Sequence, residues 1–384
     1  MQQSHTALGQ SGNQNNIKMK YACSLLWSHA KLNVHGHISP CCNFDESKSP
    51  QSMPTPPQIK NGIQNSIDSE YMNTVRQRMI SGEKLPECHR CHHAEESGHT
   101  SLRTFSNRWN KHIGETPKIR FLETAFSTHC NLACRMCDET FSSKWKLINN
   151  PGVSPETAIV NYDLNIYDCD LSELQAIKVL GGEPLLSKEH DKFLENVISK
   201  SNNPKDITLV YHTNATIYPN KNIIDMWRQL KNVRLALSID GVGKLNEYLR
   251  PGHKWKTIEN NINKFKQLEF IELSNLGVIH NLNILHIVDF CRWNEETFGK
   301  VQPMNLLNTP EHLSIKNMSQ ELKQKSREQL DIMLSTWPDT IDFYNWCINT
   351  MSEDGDELTF MDMRKYQRKL DVYFNQNFLE YNKS

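Results

Sequence analysis

The chain has 384 residues, 11 of them cysteine, and a formal net charge of -1 from 43 basic and 44 acidic side chains. That balance argues against a protein that binds large nucleic acids nonspecifically, because such a protein needs a basic face. No run approaches the roughly 18 apolar residues of a membrane span, and no secretory signal is visible at the N-terminus, so we expect a cytoplasmic protein. In a reducing compartment, cysteines more often bind metal or take part in catalysis than form disulfides.

The N-terminal third is predicted to contain a polar tail and a small cysteine-rich domain. Residues 1–20 are rich in Gln, Asn and Ser, a composition typical of a disordered tail. Residues 21–112 hold five of the cysteines and are expected to fold as a separate domain. Within them, residues 43–69 include four prolines, which block helix and central strand, and therefore predict a long surface loop.

From about Lys118 onward, strand-like and helix-like patterns alternate along the chain. Strands are predicted at 119–126, 176–180, 207–211, 233–239, 276–279 and 301–306. Such alternation implies right-handed βαβ units built on a parallel sheet. We therefore predict an α/β fold in which residues 115–310 form a partial barrel of roughly six units, smaller than the eight-fold barrel. The last segment, 311–384, is predicted to be helical.

The most specific motif is a run of three cysteines directly after the first predicted barrel strand. Cys130, Cys134 and Cys137 have the spacing C-x3-C-x2-C, and in a parallel barrel this position lies at the carboxyl ends of the strands, where active sites are built. Iron–sulfur clusters are normally held by four cysteines, and the next one is Cys169. Three thiolates would leave one iron open to a small molecule. A zinc site, which this spacing suits less well, or three buried thiols are the alternatives.

The same motif resembles the signature of radical S-adenosylmethionine (SAM) enzymes. The resemblance continues in Leu180-Gly-Gly-Glu-Pro184, which is similar to the GGEP segment of that family. It implies that Gly181, Gly182 and Glu183 bind the methionyl amine of SAM, since glycines let a backbone approach a ligand closely.

Later segments extend the resemblance along the predicted barrel. Ser238-Ile-Asp-Gly241 resembles the S-I/L-D-G segment, and Arg250 follows it. The resemblance implies that Ser238 and Arg250 contact the ribose and carboxylate of SAM, and Arg suits bidentate binding of a carboxylate. Thr213-Asn214 resembles the T-N segment of the family, while Met136 stands where the family often has an aromatic residue.

A second cysteine set lies before the barrel. Cys23 and Cys41 form a C-x12-G-x4-C unit, and Cys88 and Cys91 form a CxxC pair. Together they resemble the auxiliary-cluster domains called SPASM and twitch, although in most relatives that domain follows the barrel. The resemblance implies an auxiliary [4Fe-4S] cluster with four cysteine ligands. Cys42 could replace Cys41, and a structural zinc site is the alternative.

The resemblance implies an enzyme that carries a [4Fe-4S] cluster with exchangeable SAM. Such an enzyme cleaves SAM reductively to a 5′-deoxyadenosyl radical, which abstracts hydrogen from a substrate. The electron would come from a reductase, a flavodoxin or a ferredoxin. A peptide or protein substrate is expected, because SPASM and twitch relatives often mature ribosomal peptides; a nucleotide or small metabolite is the runner-up. A non-catalytic zinc scaffold is the alternative of another class, and no spacing identifies an acid or base.

Overall fold

A seven-stranded sheet forms the centre of the computed structural model, which describes residues 20–33, 36–96, 98, 100–161 and 169–381. The predicted tail therefore lies outside the described residues, apart from Lys20. The sheet strands are β1 (His29–Leu32), β2 (Ile38–Ser39), β3 (Phe121–Ala125), β4 (Ala176–Leu180), β5 (Thr208–Thr213), β6 (Asn232–Leu237) and β7 (Ile271–Asn275). Their order is β2-β1-β3-β4-β5-β6-β7, and every neighbouring pair except β1 and β2 is parallel. The predicted α/β fold with a parallel sheet is confirmed.

Helices connect the strands and cover one face of the sheet. In the described part of the chain the helices are α1 (Leu25–Ser28), α2 (Ile63–Ile67), α3 (Glu70–Ile80), α4 (His89–Glu96), α5 (Leu102–Trp109), α6 (Ser143–Asn149), α7 (Pro155–Ala158), α8 (Lys188–Lys200), α9 (Lys221–Trp227), α10 (Lys244–Leu249), α11 (Trp255–Phe265), α12 (Ile287–Phe298), α13 (Gln320–Thr336), α14 (Ile341–Ser352), α15 (Glu357–Phe374) and α16 (Phe378–Tyr381). The region after residue 311 is helical, as predicted. No helix in these ranges combines the length and apolarity needed to cross a membrane.

The main core lies between the sheet and the helices of the βαβ units. Ile177 on β4 and Leu209 on β5 are fully buried there, together with Val197 of α8 and Ile262 of α11. Their neighbours along β4 and β5 are only half-buried, so that burial alternates residue by residue. This period of two follows from the alternation of side chains across a strand. One face of the sheet is therefore sealed by helices and the other stays partly open.

The last barrel strand differs from its prediction. The chain bends after β7 at Gly277 and continues as β8 (Val278–Ile279), which pairs in parallel with β9 (Asn305–Leu306). A Cβ at Gly277 would lie 2.6 Å from the ring of Phe290, so only glycine fits this bend. The predicted strand at 301–306 thus shortens to two residues, because the bend leaves only a short stretch of β8 to pair with.

The N-terminal region shares the sheet with the barrel. Strand β1 pairs in parallel with β3, and Lys31 lies opposite Glu123. The stretch predicted as a loop also contains α2, whose Ile63 and Ile67 are buried in the main core. The last proline of this stretch, Pro57, precedes α2, so no proline interrupts the helix. The two predicted domains are thus joined by strand pairing and by core contacts.

A buried hydrogen-bond network ties two helices to β5. The hydroxyl of Tyr211 lies 2.5 Å from Nε2 of His190 on α8, and it accepts a hydrogen bond of 2.9 Å from the indole of Trp227 on α9. Replacing Tyr211 with Phe leaves Nε2 of His190 and the indole N–H of Trp227 buried without a hydrogen bond. We expect the free energy of unfolding to fall by about 1–3 kcal/mol, measured by urea unfolding of the metal-free protein.

The matched control is Tyr344→Phe, which removes an exposed hydroxyl bonded to Asp331 at 2.7 Å. Solvent replaces that partner, so the control should change stability by less than about 0.5 kcal/mol. Equal effects of the two variants would contradict the structural role assigned to Tyr211.

Candidate functional site

The three-cysteine loop lies at the carboxyl edge of the sheet. It runs from the end of β3 at Ala125 to the start of α6 at Ser143. Burial and the nearby Cys134 raise the pKa of the Cys130 thiol to about 12. Burial also raises the pKa of the Cys137 thiol, and Cys134 and Cys130 add to that effect. The structure thus brings the three thiols together, with Cys134 buried and Cys130 and Cys137 half-buried.

Hydrogen bonds from outside the loop hold its backbone. The amide of Ala133 donates to the carbonyl of Pro251 at 3.0 Å, and the amide of Arg135 donates to the carbonyl of Leu249 at 2.8 Å. The indole of Trp145 donates to the carbonyl of Cys134 at 2.9 Å from a fully buried position. The loop conformation therefore depends on α6 and on the segment after α10.

Arg135 links the loop to the C-terminal helix α15. Its buried guanidinium donates to Gln367 Oε1 and to Asp371 Oδ1, each at 2.7 Å, and to Gln376 Oε1 at 3.0 Å. It also lies 3.7 Å from the ring centroid of Tyr248. Sequence reasoning missed this residue, because the acceptors at its guanidinium tips lie 232 to 241 residues away and no local spacing points to them.

The two glycines of the GGEP segment allow a close backbone contact. Gly181 and Gly182 have φ values of 84° and 50°, in the left-handed region that favours glycine. A Cβ on Gly181 would lie 2.5 Å from the Cβ of Ala125, and one on Gly182 would lie 2.3 Å from the carbonyl oxygen of His129. The end of β4 is therefore packed directly against the chain that enters the cysteine loop.

Glu183 connects three strand ends through buried hydrogen bonds. Its amide donates to the carbonyl of His129 at 2.7 Å. Its carboxylate accepts hydrogen bonds of 2.7 Å from the hydroxyl of Thr213 and from the amide of Asn214. Burial raises the pKa of Glu183 to about 7, against the opposing effect of these bonds. The amide of Ser238, which is half-buried, donates to the carbonyl of Thr213 at 2.7 Å, so β6 joins the same group.

Arg250 lies beside the cysteine loop and is paired with an acid. Its Nε donates to Asp240 Oδ2 at 2.6 Å, and its Nη1 lies 3.6 Å from the sulfur of Cys134. Asp240 also accepts a hydrogen bond of 2.9 Å from the amide of Val278. The positive charge of Arg250 lowers the pKa of Cys134, although burial raises it more. Sequence reasoning did not assign Asp240, which stands in the Ser238–Gly241 segment it had singled out.

Two cavities adjoin these segments. One of about 530 Å³ is lined by Asn131 of the cysteine loop, Thr216, Gly252 and Gln376, among others. This volume falls within the range of small-molecule sites. The second, of about 250 Å³, is lined in part by Asp240. Neither cavity is lined by any of the five residues predicted to contact the cofactor, or by any of the three cysteines of the loop.

The second cysteine set also comes together. Cys23 raises the pKa of the thiols of Cys41 and Cys88, and Cys91 raises that of Cys23 and Cys88, in each case after the larger effect of burial. These four residues come from the start of α1, the end of β2 and the beginning of α4. Cys23 and Cys91 are buried, while Cys41 and Cys88 are half-buried. The four thiols therefore occupy one place, although β2 and α4 lie far apart in sequence.

Cys41 and Cys42 face different surroundings. Cys41 interacts with Cys23 and Cys88 of the four-thiol group. The pKa of Cys42 is raised by burial first and then by Glu123, so its thiol lies near the sheet instead. This difference favours Cys41 over Cys42 as the fourth member of the set.

Comparisons with known proteins place the cysteine loop in a recognised domain. Residues 124–293 match the family model described as Radical SAM superfamily, and no curated protein matches the chain. Native anSMEcpe with bound AdoMet is a similar solved structure, with 16% identity and a TM-score of 0.41 over 58% of this chain and 60% of that chain. SuiB from Streptococcus suis bound to S-adenosylmethionine has 16% identity and a TM-score of 0.34 over 57% of this chain and 45% of that chain. SuiB bound to precursor peptide SuiA has 17% identity and a TM-score of 0.35 over 65% of this chain and 59% of that chain. The chain thus spans 60% or less of the length of each of these structures.

Replacing Arg135 with Met tests the link between the cysteine loop and α15. The variant keeps the apolar stem but leaves Asp371 without its ion-pair partner. We expect the free energy of unfolding to fall by about 3 kcal/mol and the amide hydrogens of α15 to exchange faster with solvent. Hydrogen–deuterium exchange with mass spectrometry on the metal-free protein measures the second effect.

The control for this variant is Arg292→Met, which removes an exposed guanidinium paired with Asp289 at 3.1 Å on α12. Exposed pairs contribute little to stability, so exchange in α15 should stay as in the unmodified protein. Unchanged exchange in α15 of the Arg135 variant would show that the helix is held by other contacts.

Proposed function

We propose that this chain, which belongs to the radical SAM superfamily through residues 124–293, cleaves S-adenosylmethionine reductively and abstracts hydrogen from a peptide or protein. The observation that carries the proposal is the group of three interacting thiols on the carboxyl edge of the sheet, of which Cys134 is buried and Cys130 and Cys137 are half-buried. A [4Fe-4S] cluster held by these three thiolates would pass one electron, received from an external reductant, to bound SAM, whose carbon–sulfur bond would break to give methionine and a 5′-deoxyadenosyl radical.

The residues of the loop fit such a cluster. The donors are three sulfurs, the ligand type that iron–sulfur clusters take. In the described ranges, no three or more His, Cys, Asp or Glu side chains surround a point where a single ion could sit. The guanidinium of Arg250, 3.6 Å from Cys134, would offset part of the added negative charge.

The proposed SAM contacts are Gly181, Gly182, Glu183, Ser238 and Arg250. The support for this set is that four of its members adjoin the cysteine loop or the chain entering it, and that Ser238 is linked to Glu183 through Thr213. Gly182 packs on His129, and Arg250 reaches Cys134. Glu183 and the amide of Ser238 both bond to Thr213, so Glu183 holds the strand ends in register as well.

The surrounding residues would keep water and stray hydrogen donors away from the site. Arg135 holds α15 against the cysteine loop, and Trp145 packs on Phe374 with ring centroids 6.3 Å apart. A closed site matters for hydrogen abstraction, because a reactive intermediate exposed to solvent is lost to side reactions. The electron is proposed to come from a flavodoxin, a ferredoxin or another one-electron reductase.

The N-terminal thiols Cys23, Cys41, Cys88 and Cys91 are proposed to hold an auxiliary [4Fe-4S] cluster. Their support is the mutual electrostatic contact of the thiols and the likeness of their spacing to SPASM and twitch domains. That likeness also supports a peptide substrate. A structural zinc site held by the same four thiolates is the alternative.

Replacing Cys134 with Ala tests the SAM cluster. After anaerobic reconstitution, the unmodified protein should hold about eight iron atoms and the variant about four. Only the unmodified protein should form 5′-deoxyadenosine from SAM under a strong reductant, measured by chromatography. The control Cys347→Ala, at a buried thiol of α14, should keep both. Full SAM cleavage by the Cys134 variant would refute the cluster assignment.

A pair of adjacent variants tests the auxiliary site. Cys41→Ser should lower the iron content by about four atoms per chain, since one of four ligands is lost. Cys42→Ser should leave it unchanged, because that thiol lies beside Glu123. Iron and zinc are counted by elemental analysis. The Cys134→Ala variant keeps only the auxiliary site, so zinc in place of iron in that variant would overturn this assignment. Loss of iron in Cys42→Ser but not in Cys41→Ser would overturn it as well.

A further inference from the structure

The open face of the sheet carries a group of charged and polar side chains that the proposed chemistry does not use. In the parallel register, Lys31 of β1 lies opposite Glu123 of β3, Glu123 lies opposite Lys178 of β4, and Lys178 lies opposite Val210 of β5. Paired residues of neighbouring strands point to the same face. His212 follows Val210 by two residues and shares that face. These side chains thus lie inside the partial barrel, away from the helices.

The charges in this group do not balance around Lys178. The carboxylate of Glu123 is 7% exposed and lies between two ammonium groups, with Nζ of Lys31 at 3.7 Å and Nζ of Lys178 at 3.3 Å. The charge of Lys31 also acts on the carboxylate of Glu46, but Oε2 of that carboxylate pairs with Nδ1 of His37 at 3.4 Å. Among the described residues Glu123 is the sole ion-pair partner of Lys178, whose side chain remains 36% exposed. Two of its three N–H donors are free to bind something else.

His212 adds an uncharged donor beside this ammonium. Its ring is half-buried, and no described residue forms a hydrogen bond with it. Burial and the nearby charge of Lys178 lower the pKa of His212 to about 4, so that its imidazole is neutral at pH 7. A neutral imidazole donates one N–H. An ammonium and an N–H that lie near each other on the same face of the sheet can bind one carboxylate together.

The position of the group suits a substrate. Lys178 precedes Gly181 by three residues, which is about 10 Å along a strand. A molecule held at Lys178 would therefore lie within the barrel, beneath the strand ends at which SAM is proposed to bind. The inner face around it is only partly covered, with Val210, His212 and Ala236 all half-buried.

We propose that Lys178 and His212 bind a carboxylate of the substrate inside the barrel, and that Glu123 and Lys31 hold Lys178 in position. This inference rests on the proposed function for the nature of the substrate as a peptide. The carboxylate belongs either to an acidic side chain or to the C-terminus of that peptide, since both present the same two oxygens to the site.

The test uses three tripeptide probes that carry a neutral boron-dipyrromethene dye at the N-terminus. The probes are Ala-Glu-Ala amide, Ala-Gln-Ala amide and Ala-Gln-Ala with a free C-terminal carboxylate. Each is titrated into the anaerobically reconstituted protein and followed by fluorescence anisotropy. We expect at least one carboxylate probe to bind about tenfold more tightly than the neutral amide probe. Which carboxylate probe binds identifies its source.

Variants assign the effect to Lys178. Lys178→Gln should reduce the preference for the carboxylate probe to within about twofold. Glu123→Gln should increase it, because Gln keeps a side-chain oxygen that accepts from Lys178 but removes the competing negative charge. The control Lys325→Gln removes a surface ammonium that pairs with Glu321 at 2.8 Å and should leave the preference intact. Equal binding of charged and neutral probes by the unmodified protein, or no saturable binding of either carboxylate probe, overturns the inference. A preference that survives in a folded Lys178 variant also overturns it.

The outcome is separable from that of the proposed function. Formation of 5′-deoxyadenosine by the unmodified protein without any peptide reports on SAM cleavage alone. Probe binding reports on the carboxylate site alone, because it requires no turnover. Absence of SAM cleavage together with a carboxylate preference would therefore refute the proposed chemistry and leave the binding site in place. SAM cleavage without a carboxylate preference would refute the binding site and leave the proposed chemistry in place.

Discussion

The parallel register of β3, β4, β5 and β6 is the constraint on which both functional regions depend. It sets Ala125 opposite Leu180 and Thr213 opposite Leu237, so the chain leaves each strand at the same edge. The cysteine loop, the GGEP segment, Thr213-Asn214 and the Ser238 segment then meet without further adjustment. The same register aligns Lys31, Glu123 and Lys178 on the inner face. A slip of one residue would turn those side chains into the helix-covered core.

Two buried arginines stabilise the cysteine loop. Arg250 is paired with Asp240 and reaches the sulfur of Cys134, while Arg135 is paired with Asp371 of α15. Buried charges are costly unless they are paired and hydrogen-bonded, and each guanidinium meets this condition with a carboxylate. Breaking either pair would leave a charge uncompensated, so these contacts specify how the loop sits more than they add to net stability. A cluster bound to the loop would have the guanidinium of Arg250 beside the sulfur of Cys134.

Sequence reasoning predicted the parts of the candidate site that are local in the chain. The three cysteines lie within eight residues, and Gly181 to Glu183 are consecutive, so their spacing carries the chemistry directly. The alternation of strands and helices was equally visible, because burial against helices imposes a period on each segment. It failed where the chain changes direction: α2 follows the prolines of a stretch predicted as a loop, and Ile63 and Ile67 reach the main core only through tertiary packing.

The sequence by itself determined the donor types, the order of the segments and the kind of sheet that carries them. Only the tertiary structure decided which partners meet. Arg135 and Asp371 are 236 residues apart, and Lys178 and Glu123 are 55 apart, so no spacing rule could join either pair. The choice between Cys41 and Cys42 had the same origin, because adjacent side chains face opposite ways and only the folded chain shows which of them meets Cys23. Local patterns depend on residues that are close together in the sequence. These contacts form only when the strands pair and α15 packs against the cysteine loop.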